Sequence, residues 1–349
     1  MRTAVAFSGG ADSLFALLAL RQAGHEVLAL HARFLPEAAF AEHTERLHRC
    51  CDAAGVDLEI IDLQHQFAEA VIRPFVQQYA RGLTPNPCAL CNQHIKFGLL
   101  RDSARQLGCE GFATGHYVQL RHTPKGPVLC RGSDPRKEQS YFLSLVAPHA
   151  LDNCVFPLGS RQKSAIQQAL REQGQTVPES RESQEVCFIP DNDYRSFLEQ
   201  SGAPLSGPGP IVDRHGNHLG QHNGLWRYTL GQRRGLGIAY SEPLYVIAKE
   251  IKANRLVVGP RAERQAWGCV VGDLNAFLPL AQWPEQLEVQ TNYRQQPVAC
   301  RIRATADTRL EVDFLEPKGP AAPGQVATFY TASGCVLGGG IIHDRQRTA

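Results

Sequence analysis

Three segments of this 349-residue chain carry residue types whose spacing suits chemistry. The first is Ser8-Gly9-Gly10-Ala11-Asp12-Ser13. Its glycines let the backbone approach an anion closely, and its hydroxyls, with the N–H groups of a following helix, can bind phosphate oxygens. Asp12 can hold a magnesium ion bridging such phosphates. No Lys-Ser or Lys-Thr follows the glycines, so this is not a Walker A motif; a plain strand-to-helix turn with a Ser or Asp cap is the competing reading. The second segment is Thr84-Pro85-Asn86-Pro87-Cys88-Ala89-Leu90-Cys91-Asn92-Gln93-His94-Ile95-Lys96-Phe97. Two prolines stiffen a loop, and a thiol at the helix start that follows feels the positive end of the helix dipole, which favours the thiolate. Half of a zinc site or a pair of buried thiols are the alternatives, but a second Cys-x-x-Cys or a His pair at usable spacing is missing. The third segment, Glu185-Val186-Cys187-Phe188-Ile189, places one thiol in an apolar, strand-like run, where it reads on its own as a core cysteine.

Two shorter strings stand near these. Ala113-Thr114-Gly115-His116-Tyr117 puts a glycine and a histidine at the end of an expected strand, where an α/β sheet has its nucleotide crevice. Lys137-Glu138-Gln139-Ser140-Tyr141-Phe142-Leu143 sets a cation and an amide beside aromatics, suiting phosphate and base contacts or simply a solvated helix start.

The elements that must position these residues alternate over the first 200 positions. Thr3–Phe7, Glu26–His31, Leu58–Asp62 and Gly111–Thr114 read as strands; Asp12–Ala23, Glu37–Ala54, Phe67–Tyr79 and Phe97–Leu107 read as helices. Such alternation predicts βαβ units and a parallel sheet. The Gly/Pro-rich stretch Gly202–Pro210 is the clearest break. Beyond it, short β-type runs such as Tyr245–Ala248, Arg255–Val258, Cys300–Ala304 and Arg309–Phe314 predict small β-rich units. We therefore expect three domains: an α/β domain at 1–203, a β-rich domain at 204–265 and a β-barrel at 266–349.

Composition bounds the rest. The chain has 36 Lys+Arg against 34 Asp+Glu, a hydrophobic fraction of 43% and 11 cysteines, which excludes disordered and collagen-like classes and leaves a nucleic-acid partner open. An odd number of irregularly spaced cysteines does not make a complete disulfide framework. No secretory h-region precedes Ser8, and the early apolar run Leu14–Leu20 falls short of the ~20 residues of a membrane span. We expect a reducing, cytoplasmic setting with free thiols and no membrane partner.

Occurring together and in this order, the segments resemble the tRNA-specific 2-thiouridylases of the MnmA type over nearly the whole chain. The likeness continues through Tyr228-Thr229-Leu230-Gly231-Gln232-Arg233-Arg234-Gly235-Leu236-Gly237-Ile238 and Cys335-Val336-Leu337-Gly338-Gly339-Gly340-Ile341-Ile342. The resemblance implies an adenine nucleotide alpha hydrolase-like domain whose pyrophosphate loop uses ATP and Mg2+ to adenylate the C2 oxygen of the wobble uridine. It implies ATP contacts at Ala6, Phe7, Ser8, Gly9, Gly10, Ala11, Asp12, Ser13, Ala32 and Gly115. It implies Cys187 as the persulfide carrier, loaded by a sulfur-donor protein, and Cys91 as the nucleophile that releases sulfur and leaves a Cys91–Cys187 disulfide. Asn86, Pro87 and Cys88 match positions near the target base; His116, Lys137, Glu138, Gln139, Asn292, Tyr293 and Gln325 match tRNA contacts. The chain departs from the family pattern at Ala11 (usually Val), Leu14 (Ser), Ala32 (Met), Glu138 (Asp), Asn292 (Arg) and Cys88 (Asp). Cys88 supplies a third thiol, so a [4Fe-4S] cluster on Cys88, Cys91 and Cys187 is an alternative to the persulfide relay. Another ATP pyrophosphatase that amidates or ligates a small molecule, and a non-catalytic RNA-binding protein, are the remaining alternatives.

Overall fold

The computed structural model describes residues 1–35, 40–123, 126–175, 186–305 and 308–343. The chain opens with β1 (Arg2–Ala6), α1 (Ala11–Gln22), β2 (Glu26–Arg33), α2 (Phe40–Ala54) and β3 (Asp57–Asp62). A helical stretch α3 (64–80), a second, α4 (87–106), and β4 (Gly111–Ala113) follow. The expected start of α2 at Glu37 lies outside the described residues. An antiparallel pair, β5 (Val118–Thr123) and β6 (Gly126–Arg131), the short helix α5 (Ser140–Leu143), β7 (Cys154–Val155), α6 (Lys163–Glu172) and α7 (Tyr194–Gln200) complete the first part.

β1 to β4 and β7 form one five-stranded sheet in the order β3-β2-β1-β4-β7, every pairing parallel. Ala4 and Val5 of β1 and Ala29 and Leu30 of β2 are fully buried, as strands covered on both faces must be. The order reverses at β1: the chain moves outward through β2 and β3, then returns to place β4 on the other side of β1. The carboxyl ends of β1 and β4 therefore flank the crevice where an open α/β sheet binds its ligand.

The second part is a four-stranded sheet in the order β10-β11-β8-β9, from β8 (Gly209–Val212), β9 (His218–His222), β10 (Tyr245–Glu250) and β11 (Arg255–Gly259). The third is a closed barrel, β12-β15-β14-β13-β16-β17, from β12 (Ala266–Ala276), β13 (Leu287–Gln290), β14 (Val298–Ala304), β15 (Leu310–Lys318), β16 (Val326–Tyr330) and β17 (Val336–His343). The expected architecture of an α/β domain followed by two β-rich parts, the last a barrel, is the architecture found.

The barrel is bound to the first part by specific contacts. Tyr141 of α5 is fully buried and donates its hydroxyl to the Val326 carbonyl at 2.9 Å. Thr84 N–H donates to the Pro323 carbonyl at 2.9 Å, and Gln325 Nε2 donates to the Pro85 carbonyl at 3.2 Å. Asn275 Nδ2 donates to the carbonyls of Ser144 and Val146. A disulfide joins Cys130 of β6 to Cys335, 205 positions away, two cysteines left without a role in the sequence reading. Among the described residues, no helix is long and apolar enough to cross a membrane.

Candidate functional site

One cleft of about 1910 Å³ opens between the carboxyl edge of the parallel sheet and the barrel. Ala6, Phe7, Ser8, Gly10, Ala11, Asp12, Ser13, Ala32 and Gly115 line its end beside β1 and α1. Cys91, Cys187, Asn86, Pro87 and Cys88 line its thiol end, and His116, Lys137, Glu138, Gln139, Asn292, Tyr293 and Gln325 complete its walls. Every residue assigned from the sequence to ATP, sulfur transfer or tRNA therefore lines this cleft except Gly9.

Gly9 explains itself by backbone. Its φ of +76° lies in the left-handed region, and a Cβ there would stand 2.7 Å from Leu47 Cδ2 of α2. The turn it makes lets Ser13 Oγ accept from Ser8 N–H at 3.2 Å and donate to the Gly10 carbonyl at 3.0 Å. Gly10 caps α1 without a side-chain hydrogen bond, so the first N–H groups of this twelve-residue helix face the cleft as donors for an anion. The plain-cap reading of the loop fails on this point. Gly115 closes the cradle: a Cβ on it would lie 2.9 Å from the Asp12 carbonyl carbon and 3.0 Å from Ser13 N.

Asp12 sits at the mouth of this loop. Its Oδ1 accepts from Tyr117 Oη and from Lys163 Nζ, each at 2.7 Å. Lys163 begins α6, 151 residues from its partner, and no signal in the sequence pointed to it. The pair offers a carboxylate suited to a divalent cation and an ammonium suited to phosphate at one spot, which fits a magnesium-bound triphosphate. His31 donates Nδ1–H to the Phe7 carbonyl at 2.8 Å, and burial holds its pKa below the usual value, so its ring stands neutral beside Ala32.

The thiol end is assembled from two segments. Asn86 caps α4 by accepting from Ala89 N–H at 3.1 Å, with Pro87 at the first helical position. Cys88 falls in the first turn and Cys91 one turn on. The helix thus begins at the Cys-x-x-Cys, as its position suggested, although the periodic pattern showed only from Phe97, because its middle, Cys91–Leu100, is π-helical and breaks the 3.6-residue period by which helices are recognised. Asn92 donates Nδ2–H to the Phe142 carbonyl at 3.1 Å, fixing α4 against α5.

Cys187 does not lie in a strand, contrary to the expectation; it stands in a turn, and Glu185 of the same run lies outside the described residues. The turn is held by Phe188, which is buried and meets Phe67, Phe75 and Phe197 at ring distances of 5.7, 5.2 and 5.5 Å. Each such pair contributes about 0.5–1.5 kcal/mol beyond area burial. Cys187 is left exposed toward the cleft.

Burial pushes the Cys91 thiol up to about 12, with the Lys96 cation opposing. The cleft walls push Cys88 and Cys187 upward too, again against Lys96. His116 is held well below the usual histidine value, first by burial and then by Lys96, and its Nδ1 lies 2.7 Å from Thr114 Oγ1. Cys88, Cys91 and Cys187 are all free thiols. Among the described residues, no group of three or more His, Cys, Asp or Glu side chains is placed to hold a metal ion. The [4Fe-4S] alternative is thus not shown, and no step below runs through such a cluster.

Barrel residues finish the cleft. Tyr293 lies against Phe142 at 4.4 Å between ring centroids, while Gln290 Nε2 donates to the carbonyls of Asn292 and Tyr293 and so shapes their loop. An aromatic pair beside cations and open hydrogen-bonding groups suits an unstacked nucleotide.

Comparison with known proteins agrees with this layout. Residues 1–191 match the family described as tRNA methyl transferase HUP domain, 195–260 the tRNA methyl transferase PRC-barrel domain, and 267–342 the aminomethyltransferase beta-barrel domain. A tRNA-specific 2-thiouridylase MnmA from Nitratidesulfovibrio vulgaris is 50% identical over 348 residues, covering 98% of this chain and 99% of that protein. Proteins of the same name from Oleidesulfovibrio alaskensis and Lawsonia intracellularis are 49% and 45% identical, each again covering 98% of this chain and 99% of the relative. The chain belongs to the tRNA-specific 2-thiouridylase family. Within this 2-thiouridylase, Lys163, Lys96 and Tyr117 are among the cleft residues that sequence reasoning left without a role; Lys96 stood in a quoted motif, but its face depends on the π turn.

Proposed function

We propose that this chain is a tRNA 2-thiouridylase, a sulfurtransferase that activates the C2 oxygen of the wobble uridine with ATP and replaces it by sulfur. The reading is supported chiefly by one observation: a phosphate-binding loop and two free thiols from separate segments open into the same cleft. A carbonyl oxygen leaves poorly, so adenylation converts it into part of AMP. The N–H groups at the start of α1, Ser8, Ser13 and Lys163 hold the phosphates of ATP, and Asp12 holds Mg2+. Bound there, the ion would supply positive charge beside the pyrophosphate leaving group. Gly115 keeps the β4 end clear of the loop. Asn86, Pro87 and Cys88 flank the extruded base, with Phe142 and Tyr293 offering a stacking surface for its neighbour; His116, Lys137–Gln139, Asn292 and Gln325 contact the anticodon arm.

Sulfur arrives as a persulfide on Cys187, loaded by a carrier protein. The Cys91 thiolate attacks the inner sulfur of Cys187, the Cys187–outer sulfur bond breaks, and the outer sulfur leaves with its electron pair to attack C2 and expel AMP. The Cys91–Cys187 disulfide that remains is reduced by an external dithiol before the next cycle. This chemistry belongs to the cytoplasm, where tRNA and reductant are available.

The test is tRNA-dependent release of pyrophosphate and AMP from ATP, with 2-thiouridine measured by mass spectrometry. Cys91→Ser and Cys187→Ser are expected to abolish thiolation. Pyrophosphate release that needs no tRNA, or thiolation that survives both substitutions, refutes the assignment.

A further inference from the structure

Lys96 has no task in the relay described above. It lies five residues beyond Cys91 in the π-helical stretch Cys91–Leu100. In an α-helix, at about 100° per residue, five residues end roughly 140° past a full turn, which would send Lys96 to a different face from Cys91. A π turn closes its hydrogen bond between residues five apart and stacks them close together instead. Both side chains line the cleft, with Cys88, Cys187 and His116. Among the described residues, the Lys96 ammonium makes no hydrogen bond and has no carboxylate partner. Its electrostatic neighbours are Cys88, Cys91, Cys187 and His116.

We propose that the Lys96 ammonium, carried onto the thiol face by the π turn, is the charge partner of Cys91 when its thiolate attacks the Cys187 persulfide. The inference rests on the relay reading. In that step the Cys91–Cys187 S–S bond forms, the Cys187 Sγ–outer sulfur bond breaks, and the electron pair departs on the outer sulfur as hydrosulfide. Negative charge thus moves from Cys91 to the outer sulfur while facing one fixed cation, which stabilises both ends of the transfer. The groups that bear on Cys91 are few. Cys88 and Lys96 lie on its own helix, and Cys187 comes from the turn at 186–189; the two other thiols disfavour charge on Cys91, and Lys96 favours it. His116, at the end of β4, faces Lys96 and stays neutral, so it adds no competing positive charge.

Lys96 acts through sulfur, so the test reads sulfur directly. Full-length wild type, Lys96→Met and Lys96→Arg are alkylated with iodoacetamide between roughly pH 6 and 10, and the Cys91 peptide is quantified by mass spectrometry. Lys96→Met is expected to lower the Cys91 rate at pH 8 about tenfold, and Lys96→Arg to restore it to within about threefold. Lys96→Gln replaces Lys96→Met if thermal melting shows the latter to be poorly folded. Superimposed pH profiles for wild type and the neutral variant overturn the proposal. So does a loss of tRNA-dependent pyrophosphate release equal to the loss of thiolation, because that would place the cation on ATP or RNA. Alkylation needs neither ATP nor tRNA, so wild-type protein that fails to thiolate tRNA would defeat the relay reading while leaving the Lys96 result to stand or fall separately.

Discussion

At the proposed phosphate end of the cleft, six consecutive residues, Ser8–Ser13, form a tight loop with two facing hydroxyls, and Gly115 leans on them with no room for a methyl group. At the sulfur end, Cys91 on α4 and Cys187 in a turn are brought into one cleft by packing elsewhere: the Asn86 cap, the Asn92–Phe142 hydrogen bond and the aromatic cluster around Phe188. A phosphate site is a matter of local backbone, which tolerates little change of shape. A sulfur relay needs two groups that meet and part, so its precision resides in anchors one step away from the reacting atoms. The two ends should accordingly fail independently.

The largest separation is expected from Asp12→Asn. Removing the carboxylate charge should lower tRNA-dependent pyrophosphate release by about 100-fold or more, while Cys91 alkylation by iodoacetamide stays at the wild-type rate. Loss of both together would show that the ends are coupled. Phe188→Ala should do the reverse. It removes three ring contacts and costs about 3–5 kcal/mol of stability, seen as a lower melting temperature. In material that remains folded, thiolation should fall at least tenfold, with a first turnover of pyrophosphate release retained. A normal thiolation rate would show that Phe188 does not position Cys187.

Much of this contrast was legible before the fold was known, and unevenly so. Ser8–Ser13 could be read because its chemistry is contiguous, and β1, the centre of β2 and β4 because strands buried on both faces are apolar, whereas the edge strand β3 showed through its Leu58-x-Ile60 alternation. Lys163 could not, since only the fold carries α6 to Asp12. Cys187 was read as part of a strand because Val, Phe and Ile flank it; those side chains instead anchor a turn in the aromatic cluster. Of the β5–β6 pair, β5 alternates over Val118-Gln119-Leu120-Arg121, but β6, Gly126-Pro127-Val128-Leu129-Cys130-Arg131, does not, and so the hairpin gave no paired pattern to read. The start of α4 was marked by its Cys-x-x-Cys, while its middle was hidden by the π turn, whose period matches neither helix nor strand.

Two smaller effects sharpen the comparison. Gly115→Ala puts a methyl group against Asp12 and Ser13 and should raise the KM for ATP about tenfold, or ~1.4 kcal/mol, without altering the alkylation profile of Cys91. An unchanged KM would mean that the loop moves aside freely. His116 supplies a pH effect whose sign can be worked out. Its folded-state pKa lies well below 6.5, so below pH 6.5 the unfolded chain binds a proton that the folded one does not. Stability must therefore fall as pH drops below 6.5, by up to about 1.4 kcal/mol per pH unit for this group. His31, His43 and His94 are depressed in the same direction and add to the slope. His116→Gln should flatten the dependence of denaturant midpoint on pH between roughly 5 and 6.5 by its own share; an unchanged slope would show that His116 takes up its proton in the native state.

The Cys130–Cys335 bond reaches from a hairpin of the α/β domain to the last turn of the barrel and so encloses most of the chain between its two ends. A protease cut in any surface loop between those cysteines would leave two pieces that still migrate together until a reductant is added. The same bond makes the chain behave as a ring closed near the mouth of the cleft: new termini opened in the Gly/Pro-rich stretch 202–210 would leave both fragments of the molecule tethered beside the site that each helps to build.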